Sequence, residues 1–243
     1  MQAAGAVVAL PLGSSVALVL ALIILRPYFR APAPAAPPRA ISWRYSAYTL
    51  LGLLAFAIMA NADAIIVRRV FGDAAAEAYA PVVTLGKMNL FIPLGIGLVL
   101  FPKATQRRAA GRDPRPVLLL ALAATLLPGL LLTALYALWP GQIVALVFGP
   151  AYANPGSLLA LVGLATTLYA AVNIWLNYAL SLERRGYVIV LAGIVAAQVA
   201  AMLLFHARLE SVAWAMVSAA VAANLAGVVL LLPQESRGAG EQG

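Results

Sequence analysis

From Tyr45 to Val67 the chain carries one charged residue, Asp63, and from Ser157 to Leu182 it carries none. A helix needs about 20 apolar residues to cross the hydrocarbon core of a bilayer. Inside that core each backbone amide must find its partner within the protein, so a chain made of such runs is restricted to a bundle of helices. Composition agrees. Of 243 residues 64% are hydrophobic and 10% are charged, where a soluble domain averages about 25% charged.

Seven runs reach the required length: Ala3–Leu25, Tyr45–Val67, Tyr79–Phe101, Pro116–Trp139, Ser157–Leu182, Tyr187–Phe205 and Ser211–Leu232. The expected fold is therefore an all-α integral membrane protein of about seven transmembrane helices. The expected organisation is a first helix over 1–25, a basic Pro-rich cytoplasmic loop over 26–44, a six-helix bundle over 45–232 and a disordered polar tail over 233–243. The first run is read as a membrane span. A signal peptide carries its positive charge before the apolar stretch, and here Arg26 and Arg30 follow it. Gln142–Phe148 is apolar but too short to cross, and reads as a short helix at the interface.

The net charge of +8 does not point to nucleic acid, because the basic residues sit between the apolar runs. Arg26, Arg30, Arg39, Arg44, Lys103, Arg107, Arg108, Arg112, Arg115, Arg184, Arg185 and Arg237 fall in one set of alternate loops; Arg68, Arg69 and Arg208 fall in the other. Loops rich in Lys and Arg stay in the cytoplasm and face anionic lipid. The C-terminus is thus expected inside a cytoplasmic membrane, with Met1 outside. The chain has no cysteine and one histidine, His206, which excludes disulfides and thiolate metal sites, and no cofactor is expected. The carboxylates Asp73, Glu77, Asp113, Glu183 and Glu210 are scattered over different loops, and no catalytic motif is present. The chain reads as a non-enzyme.

Ionisable groups within spans are functional candidates by default. Asp63 lies about 7 Å from the outer end of its run and Lys87 about 12 Å into the next, at 1.5 Å per residue. The two are expected to meet, either as a structural ion pair or as a substrate- or ion-coupling pair. Helical phase puts Asn61 off the face of Asp63, and Asn89 off that of Lys87. Thr84, Lys87 and Phe91 form a candidate cavity face. Gly86, Asn89, Pro93 and Gly97 form an opposite packing face with a proline bend. Arg68 and Arg69 read as interfacial anchors or as contacts for an anionic head group. Thr166, Tyr169, Asn173, Asn177 and Ser181 line one face of the fifth run, for interhelical hydrogen bonds or substrate. Gln198 and Asn224 read as helix-packing glue, and His206 as an exposed turn residue.

The second and third runs also carry a recognisable order of motifs: Asn61-Ala-Asp63 leading to Val67-Arg68-Arg69, then Phe71-Gly72, Ala78-Tyr79, Leu85-Gly86-Lys87 and Phe101-Pro102. Further on come Phe148-Gly149-Pro150 with Tyr152, then Asn177-Tyr178 leading to Glu183-Arg184-Arg185. This pattern resembles the polysaccharide-flippase branch of the multidrug/oligosaccharidyl-lipid/polysaccharide exporter superfamily, with Ala78 where that family has Gly. The resemblance implies the C-terminal part of a bundle of 12–14 helices, helices six to twelve, with a missing N-terminal half or a split partner chain. It implies alternating access for a polyprenyl-pyrophosphate-linked oligosaccharide, with Lys87 as anion contact and Asp63 as its partner or coupling site. The other functions that the residues allow are an ion-coupled drug exporter of the same superfamily and a non-transporting membrane scaffold. In every case the partners include membrane lipids and exclude nucleic acid.

Overall fold

The computed structural model describes residues 15, 16, 18–24, 26, 43–152 and 155–232. In the first unit of the chain, Met1–Ile41, the described residues are helical (α1). The second unit, Ser42–Gly243, contains α2 (Trp43–Phe71), α3 (Asp73–Met88), α4 (Ile92–Ala109), α5 (Arg115–Leu138), α6 (Pro140–Phe148), a single 3₁₀ turn (Pro150–Tyr152), α7 (Leu158–Ser181), α8 (Arg185–Leu204) and α9 (Leu209–Leu231). There is no strand among the described residues. The Pro-rich loop, apart from Arg26, Trp43 and Arg44, and the polar tail lie outside them.

Five helices, α2, α5, α7, α8 and α9, are long and apolar enough to cross a membrane. The chain is an all-α membrane protein, and the expected count of seven spans is not reached among the described residues. The first expected span falls mostly outside them. The third, Tyr79–Phe101, is not one helix: it is α3 and α4, separated by a turn at Asn89-Leu90-Phe91. Pro93 explains part of the break. It has no amide hydrogen to return to the Asn89 carbonyl, and as the second residue of α4 it needs none. The chain closes the gap with tight i→i−3 bonds instead, Asn89 N–H to Gly86 O (3.2 Å), Leu90 to Lys87 (3.0 Å) and Phe91 to Met88 (3.1 Å).

The bundle is organised around α7. This helix is buried over most of its length, whereas the other four long apolar helices leave most of theirs exposed. Helices α3, α4, α5 and α9 all pack on it, and α8 joins α2 to α9. Such close approach needs glycine at the crossings. A Cβ on Gly86 would stand 2.6 Å from Val162, one on Gly129 2.6 Å from Thr167, and one on Gly163 2.7 Å from Tyr136. The outward faces carry large side chains such as Leu120, Leu127, Leu131 and Leu204. With water outside, that surface would drive aggregation; with lipid outside, it is the solvated surface.

The crossing of α7 and α9 supplies a direct check. A Cβ on Gly227 would stand 2.6 Å from the ring of Trp175, which is itself buried. Overpacking of that kind costs about 1–3 kcal/mol, so Gly227→Val is expected to lower the thermal midpoint in detergent. Gly193→Ala, where a Cβ meets nothing within 4 Å, is expected to leave it unchanged.

Candidate functional site

α2 has two opposed polar faces. Ala55, Met59, Ala62, Ile66 and Val67 are buried at spacings of three and four, which makes one face of a helix the core face. Asp63 stands on that face, four residues from both Met59 and Val67, and is 0% exposed. Tyr79, from α3, donates to Asp63 Oδ2 at 3.1 Å, and its oxygen lies 3.9 Å from Met216 Sδ of α9. Tyr169 of α7 is buried in the same core. Gln198, from α8, donates through Nε2 to the Met59 carbonyl at 3.2 Å. Side chains of α3, α8 and α9 thus meet the core face of α2, and Tyr79 bonds the carboxyl group itself.

The cluster is sealed and incompletely satisfied. Asp63 Oδ1, Tyr169 Oη and Gln198 Oε1 are buried without a hydrogen-bond partner. An unpaired polar group in a dry interior costs about 1–3 kcal/mol; the Asp63 and Gln198 oxygens need donors, while the Tyr169 hydroxyl can donate or accept. Oxygens of this kind can hold a proton or a small cation. No group of three or more His, Cys, Asp or Glu side chains suited to a metal occurs among the described residues.

The other face of α2 is open. Asn61 is exposed, two residues and so about 200° from Asp63. Its amide Nδ2 donates to the Ala57 carbonyl at 2.8 Å, and its Oδ1 accepts from Lys87 Nζ at 2.9 Å. Lys87 is half-buried and Thr84, one turn before it, is exposed. The Thr84 hydroxyl is turned back onto the Ala80 carbonyl at 2.8 Å.

The expected Asp63–Lys87 pair is corrected by this geometry. The ion pairs among the described residues are Arg68–Asp73 and Arg115–Asp113. Lys87 bonds Asn61, and Asp63 bonds Tyr79, so the acid and the base occupy opposite sides of α2. The reason is helical phase. Lys87 shares its stripe with exposed Thr84, the expected third member Phe91 falling in the turn after α3, while Asp63 shares its own with buried Met59 and Val67. Along the helices, Lys87 lies about 21 Å from the start of α3 and Asn61 about 15 Å from the end of α2.

Lys87 sits two residues before the helix break, and the break is anchored by Asn89. Its side chain is 1% exposed and donates to the Gly163 carbonyl (3.0 Å) and to Thr167 Oγ1 (2.8 Å) of α7. Thr167 in turn donates to the Gly129 carbonyl of α5 at 3.1 Å and lies 3.1 Å from Thr133 Oγ1. Tyr136 closes the network by donating to the Leu85 carbonyl at 2.9 Å. The packing face expected at Gly86 and Asn89 is thus present, and it holds the break against α5 and α7.

The remaining candidates are more ordinary. Arg68 pairs with Asp73 at 2.9 Å with both side chains exposed, an interaction of little energetic weight. Together with exposed Arg69 they border an open hollow of about 680 Å³. Asn173 and Asn177 are half-buried and bond each other, Nδ2 of Asn177 to Oδ1 of Asn173 at 3.0 Å. Thr166 and Ser181 turn onto carbonyls of their own helix. Asn224 reaches the Leu168 carbonyl at 3.1 Å and so ties α9 to α7. His206 is exposed, with its ring on the Leu203 carbonyl. Tyr79 and Asn89 had no assigned role in the site from sequence alone. Compared with protein families, characterised proteins and solved structures, the chain matches none.

The Asp63–Tyr79 bond is open to a double-mutant cycle. Tyr79→Phe leaves both carboxyl oxygens of Asp63 without a partner, at a cost of about 1–3 kcal/mol in unfolding free energy. In an Asp63→Leu background the same substitution is expected to cost less than half as much. Equal costs in the two backgrounds would show that the bond does not contribute.

Proposed function

We propose that this chain is the C-terminal part of a flippase, moving a polyprenyl-pyrophosphate-linked oligosaccharide precursor across the cytoplasmic membrane by alternating access. The observation that carries this reading is the open polar face of Asn61, Thr84 and Lys87 beside a broken helix. Transporters typically build their substrate sites from discontinuous helices. A cation within a span and facing lipid costs up to about 2.5–3.5 kcal/mol on insertion scales. Water, an anionic substrate or a second bundle relieves that cost.

The reaction asks three things of such a face. The pyrophosphate needs a cation, and Lys87, oriented by Asn61, supplies one. The lipid tail needs a route that stays in hydrocarbon, and the apolar flanks of α2 and α3 supply it. The cavity needs a second wall, from an N-terminal half or a split partner chain, against which this bundle rocks. Arg68 and Arg69 are placed to draw the anionic head group at the other mouth of the path, and Asn173 and Asn177 are further candidates for sugar contacts.

An ion-coupled exporter of the same superfamily is the second reading. A carboxyl group beside Tyr79, with one oxygen unpartnered, suits a coupling ion whether the cargo is a lipid-linked sugar or a drug. The two readings part on the cargo. In cells deprived of their own flippase for lipid-linked sugars, this chain joined to its N-terminal half, or co-expressed with its partner chain, is expected to restore export, Lys87→Ala to lower it at least tenfold, and this chain alone to export little. Export by Lys87→Ala at the parent rate would remove the anion role. Failure of the parent to export, with drug efflux intact, would favour the exporter.

A further inference from the structure

A second basic feature lies where α7 turns into α8, and nothing in the transport reading uses it. Glu183 takes a left-handed conformation (φ 55°), and the Arg184 amide bonds back to the Ala179 carbonyl at 2.8 Å. This is the usual way of closing a helix end, and it sets Arg184 and Arg185 side by side at the start of α8. The Arg185 guanidinium lies 5.0 Å from the centre of the Tyr48 ring of α2, a distance suited to cation–π attraction. Between the first turn of α8 and the last turn of α9 is a cavity of about 400 Å³, walled by Glu183, Arg184, Arg185 and Tyr187 and floored by Leu230 and Leu231.

Three observations define what fits there. The lining carries two arginines and one carboxylate. Arg185 takes part in neither of the ion pairs among the described residues. The level is that of lipid headgroups, because Trp43, 83% exposed, Tyr45 and Tyr48 stand at the same end of the bundle, and such aromatic side chains collect at the membrane–water interface. Finally, the cavity is lined by apolar Leu230 and Leu231 beside the arginines, and α8 and α9 expose apolar residues within one turn of it, Ile189, Val190, Val228 and Val229.

We propose that this cavity binds an anionic glycerophospholipid. Arg184 and Arg185 take the phosphate, and an acyl chain follows the seam between α8 and α9. Basic pockets between membrane helices commonly hold anionic lipid headgroups. The first amides of α8, which have no side-chain cap, add donors beside the arginines. Glu183 limits the positive charge of the site, matching a single phosphate diester better than a polyanion. A phospholipid here would tie together the ends of α2, α8 and α9.

The test uses the purified full-length chain in a neutral detergent. Its thermal midpoint is measured with added phosphatidylglycerol, phosphatidylcholine or inorganic phosphate, and retained lipid is read by native mass spectrometry. Phosphatidylglycerol is expected to raise the midpoint and to remain bound; phosphatidylcholine and inorganic phosphate are not. Near a membrane surface each basic residue contributes about 1 kcal/mol, so Arg184→Gln and Arg185→Gln are each expected to weaken phosphatidylglycerol binding about fivefold. Glu183→Gln is expected to tighten it, and Arg208→Gln, at the α8–α9 turn, to leave it unchanged. The difference between the two lipids is read within each variant, so a variant that folds poorly is recognised from its phosphatidylcholine baseline, and Arg185→Lys then reports on charge alone. Equal stabilisation by the two lipids overturns the proposal, as does a double arginine variant that keeps the preference. Stabilisation by inorganic phosphate alone would make the site one for a free anion and overturn the lipid assignment.

Discussion

Polar groups at hydrocarbon depth have no water to turn to, and each must find its partner inside the protein. The bundle around α7 is an answer to that demand. Gly86, Gly129 and Gly163 let the helices approach closely enough for side chains of one to reach the backbone of the next. Asn89 reaches Gly163, Thr167 reaches Gly129, Tyr136 reaches Leu85, Gln198 reaches Met59 and Asn224 reaches Leu168. Each bond is modest, about 0.6 kcal/mol on average between membrane helices. Together they set which face of each helix turns inward. The apolar remainder faces lipid and contributes little to specificity.

Against this background two polar places bear on function. One is the core of the bundle, where Asp63 has a single tyrosine partner and three oxygens have none. The other is the open side of α2 and α3, where Lys87 is held by Asn61 next to a helix break. The two lie on opposite sides of α2 but share the same pair of helices. In the proposed reading, an ion taken up beside Asp63 and a substrate held at Lys87 would act on the same pair of helices. That is what this half of a transporter would contribute.

Much of this was legible in the sequence, for a physical reason. Long apolar runs leave the backbone no alternative to helix, so α2, α5, α7, α8 and α9 follow from hydropathy to within four residues at either end. Helical phase also correctly separated Asn61 from Asp63 and Thr84–Lys87–Phe91 from Gly86–Asn89. What hydropathy does not carry is continuity. The run from Tyr79 to Phe101 is apolar apart from Thr84, Lys87 and Asn89, yet Pro93 and the Asn89 anchor divide it. Nor does it carry pairing. Opposite charges at similar depth invited an Asp63–Lys87 bridge, and the deciding signal, the placement of Asp63 in register with Met59 and Val67, was present but unweighed. Tyr79 could have been found in the same way, since it stands four residues before Val83 on the buried face of α3.

The central claim is that the face carrying Asn61, Thr84 and Lys87 is not a lipid face. The chain has no native cysteine, so single spin labels can be placed at Asn61, Thr84, Leu54 and Leu127 in the native protein reconstituted in bilayers, and their collision with a polar nickel chelate compared with that of oxygen. The account predicts that the labels at 54 and 127 favour oxygen, as lipid-facing sites do. Those at 61 and 84 should favour the chelate, or be shielded from both. Labels at 61 and 84 as oxygen-accessible as those at 54 and 127 would mean that lipid covers this face, and would contradict a substrate path along it.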